Sequence, residues 1–543
     1  MGEPAADPAA PRREALACAA VSVALGAALL APRYLPMTDL PQHEFMVGAL
    51  RGLGDPSRFP PELYARNLGH ANQLFHVAGW ALSYVLPVDR ACQLLAAATV
   101  AGALLALQRA ALAAGKSPWV SLLAAPVALG MMFRWGLIAN LVGFALYVAA
   151  LPAMERHVAR PTARSAVAVS LAGLALYAAH NAAPFYVGAT LVPWALVFAR
   201  RDGLRGLAMR LAPLVPVALA VVAGYLRFRA GMTRGFLTMT AMDSRWLLRW
   251  PDLPANILGL GDLARTLPPL ALAGVAVALL RMAPAPDVKT LGAADVPDAP
   301  PLWAHRYALL AAVMFAQYAV WPYGVSGSGL LYQRFLPPGL AALLLALAPA
   351  AGARTSLLAR AAAAIVPCAV LFAQLDDLVA CHRGYAELDP IVAAVAPGSP
   401  VASLNFTEAP ASMALFNHAH AHLAAARGGR TSDLMATLPH MPVVYRPGTA
   451  RERQSRRIAL NPMRFAPADD LRQFRYVLAR VPDADFGRAL AFVLRDHAAL
   501  RAQSGRWLLF ESRYPVAPLA APEAPPPQSP RLGALLRALG GPH

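Results

Sequence analysis

Charge is what this chain has least of. Asp, Glu, Lys and Arg make up 14% of its 543 residues, against about 25% in an ordinary soluble protein. Hydrophobic residues make up 57% and the mean hydropathy is +0.45, so a single soluble globule, which cannot bury that many apolar segments, is excluded. The four cysteines (Cys18, Cys92, Cys368, Cys381) have no metal-ligand spacing and give no disulfide framework. No ATP-binding loop and no persuasive internal repeat is found. The net charge of +18 does not point to nucleic acid, because the arginines are scattered between apolar segments instead of forming one basic domain.

What is present is a series of apolar segments suited to membrane spans, at about 15–32, 93–111, 118–133, 136–152, 165–180, 184–199, 211–226, 266–281, 304–321, 335–350 and 356–374. This predicts an all-α polytopic membrane domain of about 11 spans over residues 15–375. Residues 1–14 read as a cytoplasmic tail ahead of a retained signal anchor. With the N-terminus inside, the inner loops hold Arg109 and Lys116, then Arg156, Arg160 and Arg164, then Arg200 to Arg210, then Arg281 and Lys289, then Arg354 and Arg360. Every one is basic, as the positive-inside pattern requires. The segment Leu74 to Leu86 is read as an external or partly inserted helix.

The first external loop, residues 33–92, is too long and too polar to be a mere connector. It opens with Tyr34-Leu-Pro-Met-Thr-Asp39-Leu-Pro-Gln-His43-Glu44 and continues to His70. Residues Gln42 to Leu53 have a helical pattern with Phe45, Met46, Ala49, Leu50 and Leu53 on one face, and Thr38 or Asp39 is placed to cap its start. An anionic Asp39 is favoured at such a helix N-terminus. Later outer segments carry Arg134, His180, Asp243 and Arg245, and Tyr332-Gln-Arg334 enters the mouth of a following span. Arginine suits phosphate, and ionisable groups at membrane depth tend to face polar sites.

From Asp376 the chain turns polar. Strands are predicted at Pro400 to Asn405, Met441 to Tyr445, Phe474 to Ala479 and Arg506 to Glu511, with helices at Ala409 to Ala425 and Phe486 to Ala502. Together they predict a small extracytoplasmic α/β domain over 376–514, followed by a Pro/Ala-rich tail, 515–543, in which Pro515 to Pro530 is read as disordered. His418, His420 and His422 alternate along a predicted helix, where only His418 and His422 share a face, and no motif supports a divalent metal.

A first span, a long external loop opened by an Asp-containing stretch, around eleven spans and an external α/β domain together resemble the GT-C type of polytopic membrane glycosyltransferase. Met37-Thr-Asp39-Leu-Pro-Gln-His43 also resembles the first-loop sequences of bacterial integral membrane proteins related to that class, and the strands at Phe474 to Ala479 and Trp507 to Glu511 are similar to their external domains. The resemblance implies transfer of a sugar from a polyprenyl-phosphate donor to an extracytoplasmic glycan, lipid or protein acceptor, in a bacterial inner membrane and with no certain cofactor. It implies catalytic roles for Asp39 and, as a poorer match, Glu44. His43, His70, Arg134, His180, Asp243, Arg245, Tyr332 and Arg334 are the candidates for substrate contact; Asp243 is an imperfect counterpart of a second acidic motif. A transporter or flippase for a polar or lipid-linked substrate, and a non-catalytic assembly protein, are the competing classes.

Overall fold

The computed structural model describes residues 10–230, 239–240, 249–283, 299–325, 329–407, 415–446, 458–459, 461–516 and 531–538. Contacts divide the chain into two compact units. The first holds Met1–Ala31, Ala71–Phe75 and Leu95–Leu375; the second holds Pro32–His70, His76–Leu94 and Asp376–His543. The first external loop, grouped by sequence with the apolar region, therefore folds together with the C-terminal residues.

The first unit is helical. Ten of the eleven apolar segments fall on helices, among them Val88–Ala113, Ile138–Ala159, Ala183–Leu211, which is broken by a kink at Gly203 (φ +63°), and Leu263–Arg281. These four are long and apolar enough to cross a membrane individually, and the bent pair Leu357–Ala373 and Leu375–Ala394 passes the same test together. Apolar side chains point outward without protein cover, as at Leu171 (61% exposed), Leu219 (65%) and Leu358 (66%). Faces of that kind need lipid, since water would penalise them.

The segment expected to span 118–133 does not form one helix. It is broken into a 3-10 turn at Pro118–Ala124 and short helices at Ala125–Ala128 and Met131–Trp135, and residues 117–134 are all buried. Pro118 and Pro126 each remove an amide donor. At Gly130 a Cβ would fall 1.8 Å from the Ile257 carbonyl oxygen. Its apolar composition reflects burial in protein rather than in lipid. Helix Leu74–Leu82 has nine residues, about 13 Å by helical rise, which is short of a bilayer core.

The second unit is built on a four-stranded sheet in the order Val401–Asn405, Tyr476–Arg480, Trp507–Ser512, Ala498–Ser504. The first two strands are parallel and the remaining pairings antiparallel. Successive residues alternate between two cores: Val477, Ala479, Leu508 and Phe510 pack with Leu490 and Leu494, while Tyr476, Leu478, Trp507 and Leu509 pack with Tyr385, Leu388 and Leu423. Burial on both faces explains why these strands read as unbroken apolar runs.

Two expectations need correction here. The predicted helix to Ala502 ends at Leu494, and Ala498–Ser504 is a strand. Asp483 starts that helix by accepting the Phe486 amide, but Arg495 to His497 turn the chain into a hairpin closed at Gly505, whose φ is +53°. A side chain at Gly505 would strike the Glu387 carboxylate. The predicted strand ending at Tyr445 lies outside the main sheet, since Val443–Tyr445 pairs antiparallel with Tyr64–Arg66 of the first loop. Most of the stretch read as disordered, residues 517–530, lies outside the described residues; beyond it Leu532–Ala538 is a helix with Leu532 and Leu536 in the core.

Candidate functional site

The first-loop helix runs Leu40–Gly52 with Asp39 at its N-cap position and Pro41 in its first turn. It packs alongside helix Ala419–Arg427. The pairs Asp39 with His418, Glu44 with His422, and Gly48 with Ala425 rise together in number, so the two helices run parallel. Gly48 permits the approach, since a Cβ there would sit 3.0 Å from the Ala425 carbonyl oxygen. The expected one-sided apolar face is too narrow a description: every residue from Leu40 to Leu50 is buried, Gln42, His43 and Glu44 included.

Asp39 occupies the cap position, yet its carboxylate caps no backbone amide. Its backbone is already near-helical (φ −94°, ψ −4°), and Oδ1 turns to His418 Nε2 at 3.2 Å. The side chain is 13% exposed, and Oδ2 carries no hydrogen bond among the described residues. On its other side His418 Nδ1 meets Gln42 Nε2 at 3.1 Å. Two buried polar atoms nearby in sequence, Thr38 Oγ1 and His420 Nδ1, have no hydrogen-bond partner among the described residues, a state that costs about 1–3 kcal/mol unless a water or ligand satisfies it.

Glu44 is engaged more tightly. Its Oε2 lies 2.7 Å from His422 Nδ1, with both side chains under 10% exposed. Burial opposes a charge on His422, but the Glu44 carboxylate outweighs that penalty and holds the imidazole above its ordinary value. Tyr34 and Tyr385 flank the same ring edge-on. His420 behaves oppositely: burial, with His418 beside it, pushes it down to about 3, and its Nε2 contacts the Asp433 carbonyl at 2.6 Å. His43 contacts His76 through Nδ1 and Nε2 at 2.8 Å. His70 is bonded to Asn67, 3.2 Å away, next to the Tyr64–Arg66 ladder.

In the helical unit, Arg334 and His180 come together as the sequence suggested. Arg334 lies in the 3-10 turn Tyr332–Phe335; its Nη1 meets His180 Nε2 and its Nη2 donates to the Gly329 carbonyl at 3.1 Å. The Tyr186 hydroxyl donates to the Arg334 carbonyl at 2.8 Å and receives Asn140 Nδ2 at 3.0 Å. Arg134 was read as an outer tip, but it is buried and donates to the Gly259 carbonyl at 3.0 Å. The left-handed Gly259 closes a helix directly against Met131 and Arg134, which draws the guanidinium inward.

Tyr332 packs beneath Arg249, whose guanidinium carbon is 4.0 Å from the ring centroid. Arg249 Nη1 donates to the carbonyls of Tyr318, Ala319 and Trp321, a cation at the C-terminal end of helix Arg306–Val320, where the dipole favours it. Asp243 and Arg245 lie outside the described residues. Sequence reasoning passed over Gln42, His418 and His422 as partners of the loop acids. The available signal was the four-residue spacing of the two histidines against the five-residue spacing of Asp39 and Glu44. Among the described residues no group of three or more His, Cys, Asp or Glu is arranged to hold a metal ion.

No protein-family model matches the sequence, and no curated protein matches it either. Among solved structures, ArnT from Cupriavidus metallidurans bound to undecaprenyl phosphate is similar over 94% of this chain and 99% of that chain, with a TM-score of 0.54 and 14% identity. The apo state of the same ArnT has a TM-score of 0.50 at the same identity and coverage. At that identity the likeness establishes the fold alone, which is shared with ArnT.

Proposed function

We propose that this chain is a membrane glycosyltransferase that moves a sugar from a polyprenyl-phosphate donor to an extracytoplasmic acceptor. The observation that carries the reading is Asp39: a carboxylate at a helix N-terminus, held through one oxygen by His418 and with no hydrogen bond to the other among the described residues, in a chain that shares the fold of ArnT. Asp39 Oδ2 takes the proton of the acceptor hydroxyl. That oxygen attacks the anomeric carbon, the bond from this carbon to the phosphate oxygen breaks, and the electron pair leaves with the polyprenyl phosphate. Glu44, committed to His422, holds the two helices in register and leaves the chemistry to Asp39.

In the membrane unit Arg334, with His180 beside it, is the cation suited to a lipid phosphate, and the undecaprenyl phosphate bound by ArnT supports that assignment. The reading takes the chain to be a multi-pass protein of a bacterial inner membrane, with the N-terminus cytoplasmic and the α/β domain on the extracytoplasmic side. Incubating purified protein in liposomes with polyprenyl-phosphate sugars tests it. A transferase releases free polyprenyl phosphate in step with acceptor modification. Movement of intact donor between leaflets without cleavage would establish a flippase instead.

A further inference from the structure

The Asp39 carboxylate does not stand alone, because the backbone fixes the group that holds it. Gln42 has no freedom to flip its amide. Oε1 receives the Met435 amide N–H at 2.9 Å, and Nε2 donates to the Asp433 carbonyl at 2.9 Å. Since a backbone N–H can only donate and a carbonyl can only accept, the identity of each Gln42 atom follows from its partner. The second N–H of Nε2 then points to His418 Nδ1 at 3.1 Å. A nitrogen facing a donor must accept, so Nδ1 carries no proton, and the imidazole proton sits on Nε2, facing Asp39 Oδ1 at 3.2 Å.

We propose that Gln42 and His418 form a positioning relay that sets the His418 tautomer from the backbone and orients Asp39 through a neutral N–H donor. The inference rests on Asp39 being the base of the proposed transfer. A doubly protonated His418 would put Nδ1–H against the Gln42 N–H, so the relay keeps a cation off Oδ1 and the carboxylate keeps its strength as an acceptor. His418 carries no proton through the reaction, because both ring nitrogens are occupied in holding the geometry: the acceptor's proton goes to Asp39 Oδ2 and stays there until the product leaves. The arrangement differs from a nucleophile triad, where the imidazole is the base and the carboxylate orients it; here the roles are exchanged. Sequence places Gln42 and His418 376 positions apart, so neither is recognisable as part of a site from its neighbours.

The test uses the full chain in lipid nanodiscs with ¹⁵N-labelled histidine. The His418 signals, identified by their loss in His418→Gln, are expected to show Nε2 protonated and Nδ1 unprotonated, and Gln42→Leu is expected to turn that single tautomer into a mixture. Turnover of a polyprenyl-phosphate sugar supplies the second readout. In His418→Asn the amide cannot reach Asp39, so kcat is expected to fall on the order of 100-fold with the donor KM unchanged. His418→Gln, whose amide nitrogen reproduces Nε2, is expected to recover most of that loss. A protonated Nδ1 in the wild-type protein, or a His418→Asn variant that turns over like the wild type, overturns the relay. If the wild type cleaves no donor while the tautomer is as stated, it is the transferase reading that fails.

Discussion

His420 and His422 sit two residues apart and titrate in opposite senses. His422 is held above its ordinary value of 6.5, so its contribution to stability is complete below about pH 6.5 and is lost as pH rises through the raised value. His420 is pushed down to about 3, so the stability tied to its neutral form is present above about pH 6.5 and declines as pH falls toward that value. The melting temperature of the full chain is therefore expected to be highest near the ordinary histidine value and to fall on both sides. Glu44→Gln should abolish the alkaline-side decline and lower the melting temperature most on the acid side; a thermal scan from about pH 5 to about pH 9 checks this. At this scale sequence pointed to Asp39 from its place after the first span. The partners of Asp39 and Glu44 were not legible, because Glu44 and His422 are 378 positions apart and a lone polar residue carries no sign of which distant helix it meets.

Between elements, close approach decides the site. The first-loop helix and the histidine helix meet at Gly48, whose missing Cβ leaves room for the Ala425 carbonyl. Gly48→Val is expected to cost about 1–3 kcal/mol, the usual range for overpacking, and to reopen the Asp39 to His418 contact; denaturant melts and the His418 ¹⁵N signals report the two effects separately. The strands at Val401–Asn405, Tyr476–Arg480 and Trp507–Ser512 were legible because double-sided burial leaves a continuous apolar run. Ala498–Ser504 was missed: Ala498 is buried, but the strand is otherwise largely exposed at the sheet edge, and its alanine and leucine content imitates a helix. The break at Pro118–Trp135 was missed for a related reason. Hydropathy measures distaste for water and cannot distinguish a lipid surround from a protein one, whereas the prolines at 118 and 126 did mark where a straight span would fail.

For the whole molecule, composition identified the membrane class, and the ordering of spans, long first loop and terminal α/β domain identified the fold that the likeness to ArnT bears out. What composition could not supply is the partition of the chain. The loop from Pro32 to His70 belongs with residues 376–543, a pairing made by side chains such as Gln42 and His418 that local patterns do not record. Everything proposed for this chain depends on Asp39 being the base of a sugar transfer. That role is tested most directly by measuring polyprenyl phosphate released from a polyprenyl-phosphate sugar by the purified wild-type protein and by Asp39→Asn, with melting temperature and liposome incorporation matched. Release by the wild type and a loss of at least about 100-fold in the variant are expected. Equal release by a folded, membrane-inserted Asp39→Asn protein would contradict it.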